Sequence, residues 1–403
     1  MQSGTKREKG GIGQARSVPP SCFMTNSKKG KVDLANFRKL VEKKIGRKIT
    51  YDSSEDKINP AIVKEWIPSG SRWFDCIIAS GQMGGIPVGK RIEIAGGSAS
   101  GKSFWAALIA KSALGMGITP VIFDTERSWN RDFVEMMGIT YDDMIYSQPT
   151  AVEEVFEIIE TLLPTGERFL FVWDSYAATP TRKELEESYD PNENVAQKAR
   201  VTSKGLNKLT GALADAQSTM IVINQLSTII GVGKYERVDF GLYTGGVWYA
   251  ASGGKKLNYF LDMKLFIVPR KAKGGLVHGD EKVATGGGKR EEVQIGNEVE
   301  IRVVKNRFGP EGRKCRFPIQ YGGGQVRIMD RESWLESIRT FSGLTKSGNG
   351  RYTLVHEGAE FKFTESSFLK MLDEPDFRKA VKSVMTKELI HKPLRHGEQD
   401  GGA

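Results

Sequence analysis

Cysteine is scarce in this chain. Cys22, Cys76 and Cys315 are spread over 403 residues and form no CxxC pair, so neither a disulfide framework nor a thiol redox site is expected. The four histidines, His278, His356, His391 and His396, are equally scattered, which argues against a metal cluster. No uninterrupted apolar run approaches the roughly 20 residues that cross a bilayer. The opening residues, Met1-Gln2-Ser3-Gly4-Thr5-Lys6, lack the apolar core of a secretory signal, so a cytoplasmic protein without a membrane partner is expected. Acidic residues are also in deficit, with 49 Asp and Glu against 59 Lys and Arg and a net charge of +10. Such a balance speaks for a polyanionic partner, nucleic acid above all, and says nothing about fold. Apolar residues make up 39% of the chain, enough for a sizeable core with smaller appendages.

Glycine, by contrast, is abundant and is placed where it can be read. Gly96-Gly97-Ser98-Ala99-Ser100-Gly101-Lys102-Ser103 fits the phosphate-binding GxxxxGK[ST] pattern without a mismatch. Arg91 to Ala95 before it reads as a strand, and Phe104 to Leu114 after it reads as a helix, which is the context such a loop requires. Its backbone N–H groups can surround phosphate oxygens at the positive end of the helix. Lys102 can reach the outer phosphates and the Ser103 hydroxyl can hold Mg²⁺. A nucleoside triphosphate is therefore the expected ligand.

The organisation follows from periodicity. Residues 1–32 are basic, with Gly, Ser and Pro interspersed, and read as a disordered arm. Leu34, Phe37, Leu40, Val41 and Ile45 fall at helical spacing, with Asp33 as a cap and Gly46 as a stop, inside a small element over 33–60. A core over 61–324 alternates strands (91–95, 120–124, 168–174, 220–224) with helices, the pattern of a mostly parallel α/β sheet. Val152, Val155, Phe156, Ile159 and Leu163 mark one amphipathic helix. Strands at 263–269, 299–305 and 315–321 are expected to add antiparallel to one edge, with 270–294 as a long mobile hairpin tip. A small C-terminal α+β unit over 325–392 and a disordered tail over 393–403 complete the chain.

Triphosphate hydrolysis needs a metal holder, a water activator and a charge stabiliser besides the cradle. Phe169 to Trp173 is an apolar strand ending in Asp174, which would hold Mg²⁺. Val121-Ile122-Phe123 leads to Asp124 and Glu126. Strand periodicity puts the two carboxylates on one side, Glu126 as the base for the attacking water and Asp124 as its support. Met220 to Ile223 ends in Asn224-Gln225, amides suited to sensing a γ-phosphate. From Leu226 to Gly254 there follows a glycine-rich loop carrying aromatics with Lys234 and Arg237, closed by Lys255 and Lys256. Cations beside stacking rings suit single-stranded nucleic acid, the other reading being a lid over the nucleotide. Arg200, Lys204 and Lys208 recur every four residues on one helical face, either a second nucleic-acid surface or a solvated stripe.

Taken together, these motifs resemble the RecA-like recombinases over roughly residues 60–324. The resemblance rests on Ile67-Pro68-Ser69-Gly70-Ser71, Gly84 to Gly89, the phosphate loop, Asp124-x-Glu126, Ser147-Gln148-Pro149, Trp173-Asp174-Ser175, Ile223-Asn224-Gln225, Val303 to Arg307 and Ile319 to Gly322. It implies an ATP- and Mg²⁺-dependent helical filament on single-stranded DNA that pairs with homologous duplex DNA and exchanges strands. Single-strand-binding and mediator proteins would be further partners. It also implies that Glu126 is catalytic and that Gln225 couples the γ-phosphate to a second DNA loop over 226–254. Residues 179–196 would form the first DNA loop, with Arg200 a DNA contact. Phe133 would cover the adenine with Asn130 near the base, beside Phe104. Lys305 and Arg307 would reach the γ-phosphate of a neighbouring protomer, and residues 33–51 would pack the filament. Arg307 stands where the bacterial pattern has Lys, and a planar guanidinium is not equivalent to an ammonium. The second-loop region and the 270–294 hairpin are longer than the bacterial pattern, which points to a divergent, phage-type member. The main alternative is a hexameric helicase on the same fold, for which the segment before the phosphate loop leaves little room for an N-terminal helical domain. A regulatory ATPase that binds no nucleic acid is the other reading.

If Lys255 and Lys256 neutralise DNA phosphates, Lys255→Ala/Lys256→Ala should weaken single-strand binding. The slope of log affinity against log salt should flatten by about 0.7 for each cation lost. Fluorescence anisotropy over a salt series measures both.

Overall fold

The computed structural model describes residues 34–46, 48–51, 62–186, 195–233, 238–244, 246–270, 275–284, 290–322 and 326–391. The expected N-terminal arm, the C-terminal tail and the Asp33 cap lie outside them. The chain divides into two units, residues 1–59 and 60–403. In the first, helix α1 (Leu34–Ile45) buries none of its residues, and Glu42 accepts from the Thr50 backbone and hydroxyl. Residues 48–51 are without regular secondary structure.

The second unit begins with β1 (Trp66–Ile67), α2 (Arg72–Ile78) and β2 (Ile86–Pro87). Next come β3 (Arg91–Gly96), α3 (Lys102–Leu114), β4 (Thr119–Asp124), α4 (Arg131–Met136), β5 (Ile145–Ser147), α5 (Val152–Leu162) and β6 (Phe169–Asp174). They continue with α6 (Arg182–Glu186), α7 (Val195–Asp215), β7 (Thr219–Ile229), β8 (Leu242–Thr244), β9 (Val247–Ala251) and α8 (Gly254–Phe260). The sheet then adds β10 (Met263–Pro269), β11 (Leu276–Ala284), β12 (Arg290–Asn306), β13 (Lys314–Gln320) and β14 (Arg327–Ile328). Last come α9 (Asp330–Ser337), β15 (Leu344–Ser347), β16 (Arg351–His356), β17 (Ala359–Thr364), α10 (Phe368–Met371) and α11 (Pro375–Met385).

The main sheet runs β14-β13-β12-β10-β3-β7-β6-β4-β5. From β10 to β5 every neighbouring pair is parallel, and β12, β13 and β14 extend it antiparallel. Strands buried on both faces read as continuous apolar runs, and side chains alternate between two cores. Ile122, Leu170, Val172, Ile221 and Ile223 face one core with α3. Val121, Phe123, Phe171, Trp173, Met220 and Val222 face the other with α5 and α7. The alanines of α3 (Ala106, Ala107, Ala110, Ala113) are fully buried, so the helix lies close against the sheet.

Three expectations change. The strand at 263–269 is not an antiparallel addition: β10 pairs parallel with β3, and the antiparallel part starts at β12. The stretch at 270–294 is a hairpin as expected, but its described residues are mostly strand: β11 pairs antiparallel with the first half of a 17-residue β12. The glycine-rich segment after Gln225 is only partly loop. β7 runs on to Ile229 and pairs with β9, which pairs with β8. Glycine-rich composition hid short strands that pair with one another, Thr244 with Val247 and Leu226 with Ala251.

Residues 330–391 form a three-stranded sheet, β15-β16-β17, packed with α9 and α11 around Trp334, Tyr352, Phe363, Phe377 and Val381. Cys76 of α2 joins this core, and the Arg72 backbone N–H donates to Asp330 at 2.8 Å. No helix among the described residues is long and apolar enough to cross a membrane.

Asp75 of α2 is buried, accepts from the Ser69 backbone at 3.3 Å, and has its carboxyl pushed up to about 7 mainly by burial. The folded state thus keeps this proton where the unfolded chain, near 3.8, has lost it. Stability should therefore fall as pH rises from about 4 to about 7 and be level above. Asp75→Asn keeps a carbonyl for Ser69 and should flatten this fall. Its melting temperature should exceed the parent's by a few degrees at about pH 8 and match it near pH 4, as calorimetry would show.

Candidate nucleotide site and nucleic-acid surface

The phosphate loop follows from local sterics. A Cβ at Gly96 would stand 2.4 Å from Ser100 Oγ and 2.7 Å from the Ile267 carbonyl, so the strand can turn there only with glycine. Gly101 caps α3 at φ 93°, in the left-handed region. Ala99 takes φ 54° without that freedom, a strain of the kind found where a loop is shaped for a ligand. Lys102 donates to the carbonyls of Gly97 (2.7 Å) and Gly96 (3.2 Å). Burial lowers its pKa, and the carboxylates of Asp174 and Glu126 oppose that shift.

Strand register brings the remaining parts to one edge. Gly96 pairs with Gln225 and Asp124 with Asp174, so the carboxyl ends of β3, β6 and β4 coincide with Gln225 inside β7, at the end of the sheet where open α/β sheets bind ligands. Ser103 Oγ donates to Asp174 Oδ2 at 2.6 Å, and Trp129 Nε1 donates to the same oxygen at 2.9 Å. Burial raises the pKa of Asp174 despite those two donors. Glu126 Oε1 accepts from Gln225 Nε2 at 3.1 Å and from the Ser175 hydroxyl. Ser98 to Phe104 with Glu126, Asp174 and Gln225 line a cavity of about 180 Å³.

Strand spacing does not carry as far as Glu126, which lies past the end of β4. β4 ends at Asp124, which is buried and accepts from Ser128 N, Trp129 N (both 2.9 Å) and the Tyr146 hydroxyl. It frames the turn that carries Glu126 and Trp129. Asn130 caps α4 by accepting from Phe133 N at 2.9 Å. Phe133 meets Phe104 and Trp129 edge-on, and Phe104 meets Tyr321, an aromatic wall beside the loop. Ser103 and Asp174 together offer only hard oxygen donors, which fits Mg²⁺. The ammonium of Lys102, held by two carbonyls, fits an adjacent phosphate.

Lys305 and Arg307 lie at the end of β12, outside the residues that line the cavity. Lys305 is buried, and its Nζ donates to the carbonyls of Asn258 (2.5 Å) and Leu261 (2.7 Å). Burial lowers its pKa, with Arg307 adding to the effect. Arg307 pairs with Asp262 at 2.8 Å. On α7, Arg200 and Lys204 are exposed, whereas Lys208 pairs with Glu160 at 3.2 Å. Lys234 and Arg237 lie outside the described residues. Lys255 and Lys256 stand in the first turn of α8.

Three contributors carried no role in the sequence reading: Trp129 and Ser175, and Lys198, which donates to the Ala177 carbonyl and lies 4.7 Å over the Tyr176 ring. Ser175 was visible beside Asp174, but its link to Glu126 crosses 49 residues of chain.

Fold and site define a P-loop nucleotide-binding protein built on a RecA-type sheet. The chain matches the RecA N-terminal domain family over residues 33–326. It is 30% identical over 330 residues to Protein RecA of Nocardioides sp., covering 81% of this chain and 83% of that protein. To Protein RecA of Fusobacterium nucleatum it is 34% identical over 264 residues, 66% of this chain and 62% of that one. To Protein RecA of Aquifex aeolicus it is 33% identical over 288 residues, 71% and 73% respectively. The chain belongs to the RecA family of recombinases.

Trp129→Phe keeps the aromatic contact with Phe133 but removes one of the two donors on Asp174. The lost hydrogen bond, about 1 kcal/mol, should raise the Mg²⁺ concentration needed for nucleotide binding by about fivefold. Nucleotide titrations at varied Mg²⁺ would show it, and binding without Mg²⁺ should be unchanged.

Proposed function

We propose that this protein hydrolyses ATP within a filament on single-stranded DNA and uses the bound nucleotide to control pairing and strand exchange with duplex DNA. The observation that carries the reading is the Glu126–Gln225 contact at the root of β7. Gln225 stands where β7 leaves the buried sheet, and the same strand continues into the β7-β9-β8 ribbon. A change in the partner of Gln225 is therefore delivered to the first residue of the segment proposed to hold DNA.

In this scheme the Gly96–Ser103 loop and Lys102 bind the phosphates. Ser103 and Asp174 would hold Mg²⁺, which when bound neutralises phosphate charge. Glu126 orients the attacking water and accepts its proton, while Ser175 and Gln225 fix the carboxylate that does so. Asn130, Phe133 and Phe104 lie on the side assigned to the base. Arg200 and Lys204 on α7, with Lys234, Arg237, Lys255 and Lys256, are the proposed DNA cations. Lys305 and Arg307 are fastened to the end of α8 and lie outside the cavity lining of their own chain, which supports action on a neighbour's γ-phosphate. Such trans cations make hydrolysis depend on assembly.

Lys305→Ala and Glu126→Ala should each lose DNA-stimulated ATPase activity by about a thousandfold. Mixing the two should restore a substantial fraction, because intact Glu126 sites then meet intact cations from the other variant. No recovery in mixed filaments on single-stranded DNA would overturn the trans assignment.

A further inference from the structure

Glu93 and Lys264 are register partners on adjacent strands β3 and β10, and their side chains, 0% and 1% exposed, meet at 2.9 Å. Burying such a pair costs desolvation that apolar residues of the same volume would avoid, so stability alone does not account for it. Its partners on either side do.

On one side, Glu93 Oε1 accepts from Asn224 Nδ2 at 2.7 Å, and Asn224 Oδ1 accepts from the Gln225 backbone N–H at 2.9 Å. Asn224 Nδ2 also donates to the Ser252 carbonyl at 2.8 Å, just past β9. On the other side, Lys264 Nζ donates to Asn258 Oδ1 at 2.6 Å. The backbone carbonyl of that same Asn258 accepts from Lys305 Nζ. The neighbouring residues bind the second cation: Arg307 donates to the Tyr259 carbonyl at 3.1 Å and to Asp262 Oδ1. An unbroken line of polar contacts thus runs from Gln225 through Asn224, Glu93, Lys264 and Asn258 to Lys305. Most of it is buried, where hydrogen bonds are electrostatically strong and a missing partner is costly.

We infer that the Glu93–Lys264 pair is a positioning element for Lys305: through Asn258 it sets the last turn of α8, and through Asn224 it ties that setting to Gln225. A protomer's cations are then aimed according to what its own nucleotide sensor touches. This rests on the trans role proposed above for Lys305.

Two double variants separate positioning from simple support. In Glu93→Gln/Lys264→Met, the amide that replaces the carboxylate can still accept from Asn224, so the sensor arm is kept, but the link to Asn258 is cut. In Glu93→Gln/Lys264→Gln, amide–amide contacts can rebuild the line without charge. Both should melt within a few degrees of the parent. The first should lose at least tenfold in kcat for DNA-stimulated ATP hydrolysis with KM for ATP within about twofold, and the second should recover most of that kcat. Mixing the first with Glu126→Gln protomers should restore activity, since its own catalytic site is intact and borrows sound cations. Parental kcat in the first variant, a loss shared equally by the second, or no recovery on mixing where Lys305→Ala does recover, would each overturn the inference. Should the Lys305→Ala mixture also fail, the trans assignment falls, and the kcat contrast between the two double variants still decides whether the pair positions Lys305.

Discussion

A carboxylate at the end of a buried strand has to find donors, and the architecture of this site is largely the answer for Asp174. Only 2% exposed, it draws the Ser103 hydroxyl from the start of α3 and the Trp129 indole N–H from the turn after β4. Three segments distant in sequence are thereby fastened at one point. Asp124 repeats the device one strand over, collecting two backbone N–H groups of that turn and the Tyr146 hydroxyl. With the turn held from both sides, Glu126 is delivered to Gln225. The energetic asymmetry behind this is general: a made hydrogen bond adds little net stability, but an unmade one on a buried charge costs the full desolvation penalty.

Parallel register turns those local contacts into a site. Because Gly96 pairs with Gln225 and Asp124 with Asp174, the start of the phosphate loop, Gln225 and Asp174 come to one end of the sheet by strand register alone. The cations follow from the other side of the same strands. β10 continues the parallel order next to β3 and then turns antiparallel with β12, whose last residues include Lys305. One continuous sheet therefore carries both the pocket and the groups proposed to serve a neighbour's pocket.

The phosphate loop, the strand-end acids and the parallel order were legible because each is written in local residue types: glycine where a Cβ would collide, β-branched runs, a carboxylate where the run stops. Strand periodicity could not place Glu126 relative to Asp124, since alternation holds only while the strand lasts and β4 ends at Asp124. Trp129 escaped notice because a tryptophan in a turn reads as packing until its N–H is seen against a carboxylate. The β7-β9-β8 ribbon and the β11–β12 pairing escaped for another reason. Both stretches lie among glycines and charged residues that read as loop, and the Leu226–Ala251 pairing that holds β9 to β7 spans the whole segment. The Glu93–Lys264 pair was equally invisible, because a charged residue within a strand ordinarily signals an outward face.

The C-terminal unit bears on the same strand end. Asn306, directly after Lys305, donates to the Ile78 carbonyl at the end of α2 at 2.6 Å, and Ser80 N donates to the Phe308 carbonyl. The opposite side of α2 contributes Cys76 to the C-terminal core, and Arg72 at its start donates to Thr386. Arg313, buried, joins the two: its guanidinium donates to the Ile77 carbonyl and to the Leu389 carbonyl at the far end of the chain. Removing the unit would uncover Cys76 of α2 and leave the buried Arg313 guanidinium short of its Leu389 acceptor beside β12. Its packing and the fixing of the Lys305-Asn306-Arg307 turn therefore share one short helix, and neither can shift without the other being felt.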